Sequence, residues 1–313
     1  IETLAEKYRD EFEAVSAYIF AHPELAYQET LAQDQLCGLL EKHGFKVQRG
    51  AGSLETAFVA EYRSGKPGMT FAFMCEYDAL PEIGHACGHN LIGTSGAGAG
   101  VILKEIMEKY GIGGTLKVLG TPAEENGSGK ITMLDEGIFD DVDEILCFHV
   151  GSECKLGEVG ICEGGYLATT KLNVSFEGAP AHAGSNPEAG KSALLAACNA
   201  ATLIAGIPRH SGGLTRVCVG KLEAGESRNV IPAHARMEIE TRGATSELDA
   251  FMVDHVKRIV RGTEAAFDVK AKIEKVGSAA NLETDPEVLE RLAKITEQIE
   301  SVEKTNFIRF VPA

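Results

Sequence analysis

The chain has 313 residues and a formal net charge of −16, with 44% hydrophobic and 24% charged residues. This composition is typical of a soluble globular protein with one large or two medium domains, and the negative charge argues against a nucleic-acid partner. No segment approaches the ~18 uninterrupted apolar residues of a membrane span, and the first residues lack a signal-peptide pattern, so we expect a cytoplasmic protein with no membrane partner. The eight cysteines are scattered, which favours reduced thiols over a disulfide framework.

The first half of the sequence alternates helical and strand patterns, as in an α/β domain. Residues 70–75 are almost entirely apolar and predict a strand that is buried on both faces. Asn90 is a suitable N-cap for the helix that follows the next loop. The predicted helices span 2–20, 29–43, 90–110 and 130–136, and the predicted strands span 45–47, 57–62, 70–75, 114–120 and 144–149.

From residue 171 the pattern changes, and the predicted elements follow the order β-α-β-β-α-β. This is the order of a ferredoxin-like sandwich, so we expect a separate second domain. Beyond Ala279, a capped amphipathic helix that starts near Asp285 is expected to rejoin the first domain. The six elements are predicted at 171–176, 191–207, 215–221, 235–241, 246–262 and 267–275.

The loop behind the strand at 70–75 is dense in residues that can bind metal ions. Within it, Cys87 and His89 are separated by Gly88. In an extended loop, residues two apart project to the same side, so one thiolate and one imidazole can converge on a single cation. An isolated Cys-x-His is more often a buried thiol beside a hydrogen-bonded loop histidine, so the motif needs support from elsewhere in the chain.

That support comes from two further strands that end in metal-capable residues. Glu124 and Glu125 follow the strand at 114–120, and His149 ends the strand at 144–149. In an open α/β sheet, sites are built at the carboxyl ends of the strands, so the three sets of residues are expected to meet. One carboxylate of the Glu pair can bind a metal ion while the other accepts a proton. A solvated acidic turn and a core histidine are the alternatives for these residues.

Three polar residues of the second half are weaker candidates. His182 lies in the loop after the first strand of the second domain, and Asn229 and Arg242 lie at strand edges. An Arg at such a position can bind a carboxylate through two hydrogen bonds. Each of the three is, taken alone, equally compatible with an ordinary surface residue.

The motifs His85-Ala-Cys-Gly-His, Thr-Pro-Ala-Glu-Glu125, Phe-His149, Ala-His182-Ala, Arg-Asn-Val-Ile-Pro and Glu-Thr-Arg242-Gly occur in this order. Together they resemble the aminoacylase/carboxypeptidase G family of co-catalytic metallohydrolases, in its amidohydrolase branch. Within that branch the chain looks closest to aminobenzoyl-glutamate hydrolase subunits, through the runs Tyr166-Leu-Ala-Thr-Thr-Lys, Ala-His-Ala-Gly-Ser-Asn-Pro-Glu-Ala-Gly, Ile-Pro-Arg-His-Ser and Arg-Asn-Val-Ile-Pro-Ala. The resemblance implies a zinc-exopeptidase-like α/β catalytic domain with an inserted ferredoxin-like dimerisation (lid) domain. We expect the catalytic domain at 1–170 and 279–313 and the lid domain at 171–278.

The resemblance also implies roles for individual residues. It makes Glu124 the general base, while Asp78 orients a metal ligand. His182 would stabilise the oxyanion across a homodimer or a sister-subunit heterodimer, and Asn229 and Arg242 would hold the substrate. The cofactor would be two divalent ions, zinc or manganese, with cobalt or nickel also compatible. The implied metal ligands are Cys87, His89, Glu125 and His149.

The expected function is hydrolysis of the amide bond of small N-acyl amino acids, with aminobenzoyl-glutamate as the type substrate. A dipeptidase or carboxypeptidase of the same family is the first alternative, and a non-catalytic binding or assembly subunit is the second. The family has a further His ligand after a Gly-Ser-Glu-Asp-like motif, and the sequence ends at Phe310-Val-Pro-Ala313, about where that motif should begin. We therefore expect a catalytic domain that is incomplete at its C-terminus.

Overall fold

The structure, a computed structural model, describes residues 1–125, 127–151, 154–162 and 166–308. The chain divides into two compact units, Ile1–Ser152 and Glu153–Ala313. Within the described part of the chain, no helix combines the length and the hydrophobicity needed to cross a membrane. The segment Phe310-Val-Pro-Ala313 lies outside the described residues.

The first unit is a five-stranded sheet with helices packed against it. The strands lie in the order β1-β2-β4-β3-β5, in which β3 pairs in parallel with β4 and β5, while β2 is antiparallel to β1 and β4. The helices are α1 (Glu2–Ala21), α2 (Thr30–Lys42), α3 (His89–Tyr110) and α4 (Gly129–Asp135). The strands are β1 (Lys46–Ala51), β2 (Leu54–Arg63), β3 (Thr70–Cys75), β4 (Thr115–Gly120) and β5 (Glu144–Leu146).

Helix α3 lies close to strand β3 because small residues line their contact. A Cβ atom built on Gly96 would lie 2.4 Å from the carbonyl oxygen of Met74, and one on Gly93 would lie 2.7 Å from that of Glu76. The same helix contributes Ala97 and Val101 to the core of the unit. Because β3, β4 and β5 are parallel, they end at one edge of the sheet. The loop that leaves β3 at this edge leads into the N-terminus of α3.

The second unit contains a four-stranded antiparallel sheet in the order β10-β7-β9-β8, whose core includes apolar residues of α5 and α6. From β7 to β10 the elements follow one another as β-α-β-β-α-β, as the sequence predicts. Strand β11 pairs in parallel with β6. The elements are β6 (Glu158–Cys162), β7 (Ala168–Glu177), α5 (Ala193–Ala205), β8 (Thr215–Ala224), β9 (His234–Gly243), α6 (Ser246–Phe267), β10 (Lys270–Ala279), α7 (Pro286–Thr296) and β11 (Lys304–Ile308).

Two local predictions in the first unit are wrong. Helix α3 begins at His89 with Gly88 as its N-cap, so Asn90 is not the cap. The side-chain amide of Asn90 instead donates to Ser16 Oγ at 2.9 Å. Strand β5 ends at Leu146, so His149 lies in the loop beyond the strand and not at its last position.

Candidate metal centre

The loops after β3 and β5 approach each other at Gly88. This residue has a φ of 73°, a left-handed conformation that favours glycine, and it begins α3. A Cβ atom at this position would lie 2.6 Å from Cγ2 of Val150. The absence of a side chain at Gly88 thus lets the backbone that carries Cys87 and His89 pass beside the loop that carries His149.

His89 is fully buried, and its ring is held on one side by Asp78. The Nδ1 atom of His89 lies 2.9 Å from the carbonyl oxygen of Asp78 and 3.0 Å from its Oδ1. Both partners are acceptors, so we assign a proton to Nδ1, which leaves Nε2 as the ring atom that can bind a cation. A carboxylate behind a histidine in this way fixes the ring and the tautomer of a metal ligand.

Asp78 joins this loop to the loop after β4. Its Oδ2 accepts a hydrogen bond from the backbone N–H of Glu125 at 2.9 Å. Burial raises the pKa of Asp78, but the hydrogen bonds from His89 and from the Glu125 amide outweigh that effect, so the net pKa is below its usual value. Asp78 is therefore a charged, buried residue whose two carboxylate oxygens fix the ring of His89 and the backbone of Glu125 relative to each other.

The Nε2 atom of His89 is the common member of two groups of metal-capable atoms. It lies 3.8 Å from Glu125 Oε1 and 3.9 Å from Glu124 Oε2. The ring of His149 is perpendicular to that of His89, with 5.8 Å between ring centroids. Within each group the ligand atoms lie within 4.8 Å of one another, and the two groups are His89–Glu124–Glu125 and Glu76–His89–His149.

The donors at this position fit a divalent cation. His89 Nε2 and Glu76 Oε2 are both buried, and neither has a hydrogen-bond partner among the residues that the structure describes. Buried polar atoms are rarely left without a partner, and a bound cation would satisfy both. Carboxylate oxygens and imidazole nitrogens are also the donors that zinc and manganese accept in proteins.

Cys87 lies beside this cluster but belongs to neither group. Its thiol is half-buried and hydrogen-bonds with Glu125. That hydrogen bond, followed by burial, raises the pKa of Cys87 to about 11. A thiol with this pKa is protonated at neutral pH, so Cys87 would bind a cation only by releasing its proton as the ion enters.

Glu124 has the environment of a proton acceptor. Its side chain is about one-third exposed, and burial raises its pKa above the usual value. The Nζ atom of Lys130 lies 4.0 Å from Glu124 Oε1 and opposes that increase. A carboxylate with a raised pKa is suited to accept and return a proton near neutral pH.

The other three predicted site residues lie in the second unit. His182 and Asn229 are on neighbouring loops, since the N–H of Ala183 donates to the Asn229 carbonyl at 2.9 Å. His182 is exposed, and its Nδ1 accepts from the N–H of Gly184 at 3.1 Å. Arg242 lies on β9, with Nη2 3.4 Å from Glu240.

Two residues of the cluster are absent from the sequence-based candidates. Glu76 is the residue directly after β3, is 3% exposed, and forms an ion pair with Lys130 of α4 at 2.5 Å. The position of Glu76 at the end of a buried strand, matching that of the residues after β4, is a signal that could have identified it. Lys130 has no comparable signal, because a lysine in a short helix is normally a solvated residue.

Comparison with known proteins shows which family the chain resembles. A Haemophilus influenzae protein, named as the homolog of one p-aminobenzoyl-glutamate hydrolase subunit, is 34% identical over 272 residues, which cover 80% of this chain and 64% of that protein. An indole-3-acetyl-aspartic acid hydrolase from Enterobacter agglomerans is 32% identical, and the match covers 80% of this chain and 62% of that protein. The chain thus spans less than two thirds of the length of both relatives.

The overall structure gives a consistent result. An aminobenzoyl-glutamate utilization protein from Klebsiella pneumoniae superimposes with a TM-score of 0.84 at 26% identity, and the match covers 100% of this chain and 86% of that one. Residues 72–310, which include every predicted site residue, match the model of peptidase family M20/M25/M40. The chain belongs to peptidase family M20/M25/M40.

Proposed function

We propose that this protein is a metal-dependent amidohydrolase that cleaves the amide bond of N-acyl amino acids, with substrates of the aminobenzoyl-glutamate type. The observation that carries the proposal is the buried Nε2 of His89, which has no hydrogen-bond partner within the described ranges. Four further metal-capable side chains are grouped with it: Glu76, Glu124, Glu125 and His149. The names of both curated relatives describe an acyl group joined to an acidic amino acid, which supports this substrate class.

The cofactor that we propose is a pair of divalent ions, held by Cys87, His89, Glu125 and His149. Thiolate and imidazole donors suit zinc, and carboxylate donors suit manganese, with cobalt and nickel also compatible. Such ions supply an activated water at neutral pH and polarise the scissile carbonyl group.

Within the first unit, the protein's own groups orient the site and move the proton. Asp78 fixes the ring of His89 and the backbone of Glu125, so the donor atoms are in place before substrate binds. Glu124 accepts a proton from the attacking water and returns it to the leaving amine, a role that its raised pKa supports.

We further propose that residues of the second unit bind the substrate. His182 would donate a hydrogen bond to the carbonyl oxygen as it gains negative charge, and Asn229 and Arg242 would hold the carboxylate or the backbone of the amino acid. The neighbouring loops of His182 and Asn229 support a shared role for these two residues. The guanidinium of Arg242 matches a carboxylate in geometry and charge.

The second unit is also the proposed dimerisation domain. Its sheet order β10-β7-β9-β8 and its β-α-β-β-α-β connectivity support an inserted ferredoxin-like lid at 171–278, with the catalytic domain at 1–170 and 279–313. The partner would be a second copy of the chain or a sister subunit. The name of the Haemophilus relative, which describes a hydrolase subunit, supports an assembly of this kind.

The test is release of the amine from aminobenzoyl-glutamate by the protein loaded with Mn²⁺ or Zn²⁺. We expect metal-dependent turnover, and we expect Glu124→Gln to lower kcat by about 10²–10⁴-fold because a glutamine accepts no proton. Glu108→Gln is the matched control, since Glu108 is an exposed carboxylate of the same unit that pairs with Lys104.

A panel of N-acyl aspartates, N-acyl glutamates and dipeptides separates the substrate classes. If the protein hydrolyses dipeptides faster than N-acyl amino acids, the proposed function changes from amidohydrolase to dipeptidase. Bound metal without turnover of any compound would contradict a self-sufficient enzyme and would favour a binding or assembly subunit.

A further inference from the structure

The two carboxylate oxygens of Glu76 differ in their contacts. Its Oε1 pairs with Lys130 Nζ at 2.5 Å and lies 4.0 Å from the thiol sulfur of Cys147. Its Oε2 lies 3.4 Å from His89 Nε2 without forming a hydrogen bond and has no hydrogen-bond partner among the described residues. One oxygen is therefore fully occupied, and the other points to the same space as the free nitrogen of His89.

The position of Glu76 is strongly constrained. The residue is 3% exposed, and its carbonyl oxygen lies against Gly93 of α3, where a Cβ atom would come within 2.7 Å. The ammonium group of Lys130 pairs with one oxygen of the side chain, Oε1. The backbone of Glu76 and one of its carboxylate oxygens are thus both held, which limits the positions that the other oxygen can take, as metal coordination requires.

We propose that Glu76 is a further carboxylate donor of the metal centre, binding through Oε2 the ion that His89 and His149 also bind. Lys130 is then a positioning residue that holds Oε1 and keeps Oε2 directed at the ion. This inference rests on the proposed metal centre and adds an anionic donor to it. A buried negative charge at this point also offsets the charge of the cation.

The competing explanation is that Glu76 is only the counterion of Lys130, whose side chain is one-third exposed. The two explanations differ when both charges are removed together. If Glu76 is only a counterion, Glu76→Gln/Lys130→Met restores a neutral, satisfied interior and leaves ion binding unchanged. If Glu76 is a donor, the double variant lacks the donor as fully as Glu76→Gln does.

The experiment is titration of the chelator-treated protein with Co²⁺ alone, followed by calorimetry and by visible absorption. We expect Glu76→Gln and Glu76→Gln/Lys130→Met to bind one ion at least about 10-fold more weakly, with an altered cobalt spectrum. Asp141→Asn is the matched control, because Asp141 pairs with Lys117 at 2.6 Å in the same unit but is in neither group of metal-capable residues.

Each outcome decides the point. Wild-type affinity and spectrum in the double variant would overturn the role of Glu76 while leaving the proposed function intact. Failure of the wild-type protein to bind Co²⁺ would overturn the metal centre as a whole. If circular dichroism shows that the double variant is unfolded, Glu76→Asp replaces it in the test. Aspartate keeps the charge but is shorter, so unchanged cobalt binding by this variant would refute the role of Glu76 as a donor that is fixed in position.

Discussion

At the scale of single residues, His182 can be tested against His210, a second exposed histidine with the same hydrogen bond at Nδ1. Both His182 and His210 are exposed, and each accepts a hydrogen bond at Nδ1 from the backbone N–H two residues later, at 3.1 Å and 3.0 Å. The two histidines thus share exposure and this hydrogen bond, whereas only His182 is proposed to contact the substrate. Replacing each in turn separates a catalytic histidine from a turn-forming one.

We expect His182→Ala to lower kcat by about two to three orders of magnitude with a small effect on KM, because an oxyanion donor acts mainly in the transition state. His210→Ala should retain the wild-type rate. Steady-state kinetics on aminobenzoyl-glutamate measure both. Equal, small losses in the two variants would remove His182 from the site.

The residues of the candidate metal centre differ in how far sequence alone reveals them. The proximity of Glu125, His89 and His149 could be predicted because each follows a strand, and strand ends converge at one edge of a sheet, whereas their binding of a metal ion stays a prediction. Glu76 also follows a strand and could have been identified in the same way, but its ion pair with Lys130 of α4 could not, because no local pattern encodes that contact. Cys87 is a predicted metal ligand, and in the structure its thiol forms a hydrogen bond with Glu125. Its binding of a metal ion stays a prediction.

At the scale of elements, the packing of α3 on β3 decides whether the site forms. A methyl group at Gly96 would meet the Met74 carbonyl oxygen at 2.4 Å and the Cys75 sulfur at 2.8 Å. The carbonyl oxygen belongs to the backbone, so it cannot move without shifting β3, the strand that leads into the loop of Cys87 and His89. Gly38, in the interior of α2, has no atom within 4 Å of the same built position.

We therefore expect Gly96→Ala to lower the free energy of unfolding by about 1–3 kcal/mol through overpacking. Gly38→Ala should instead raise it by up to ~1 kcal/mol, since alanine is the better helix former. Urea denaturation followed by circular dichroism measures both changes. Equal stability of the two variants would show that α3 does not depend on this close approach.

Most elements could be predicted because periodicity is a local property. The predicted helix over 2–20 corresponds to α1, and the predicted strand over 70–75 is β3. The N-cap of α3 could not be predicted, because Gly88 takes a left-handed conformation against Val150, a contact between distant parts of the chain. Strands β6 and β11 were not predicted either, since they are short and pair only with each other in the described part of the chain.

At the scale of the whole molecule, the fold class could be predicted and the strand order could not. Alternating helices and strands indicate an α/β unit, and the β-α-β-β-α-β order indicates a separate ferredoxin-like unit. Both indications come from local sequence patterns. The orders β1-β2-β4-β3-β5 and β10-β7-β9-β8 depend on pairing between distant strands. The boundaries 1–170, 171–278 and 279–313 stay a prediction.

The stability of a chain with net charge −16 should depend on pH through carboxylates that are paired with a cationic side chain in the folded state. Asp141 is one of them: the hydrogen bond from Lys117 holds the pKa of Asp141 below its ordinary value of 3.8. In the window between the lowered and the ordinary pKa, the unfolded chain binds more protons than the folded one. The stabilisation is therefore fully present above the ordinary pKa and is lost as the pH falls through the lowered one.

We expect Asp141→Asn to reduce the loss of stability between about pH 5 and pH 3, since asparagine does not titrate. The effect should be at most ~1 kcal/mol, because the Asp141 side chain is 59% exposed and solvent screens the pair. Asp140→Asn is the control, as this exposed neighbour has no ion-pair partner within the described ranges. Urea midpoints across this pH range measure the difference. Parallel curves for the wild type and Asp141→Asn would mean that Lys117 does not lower the pKa of Asp141 in the folded protein.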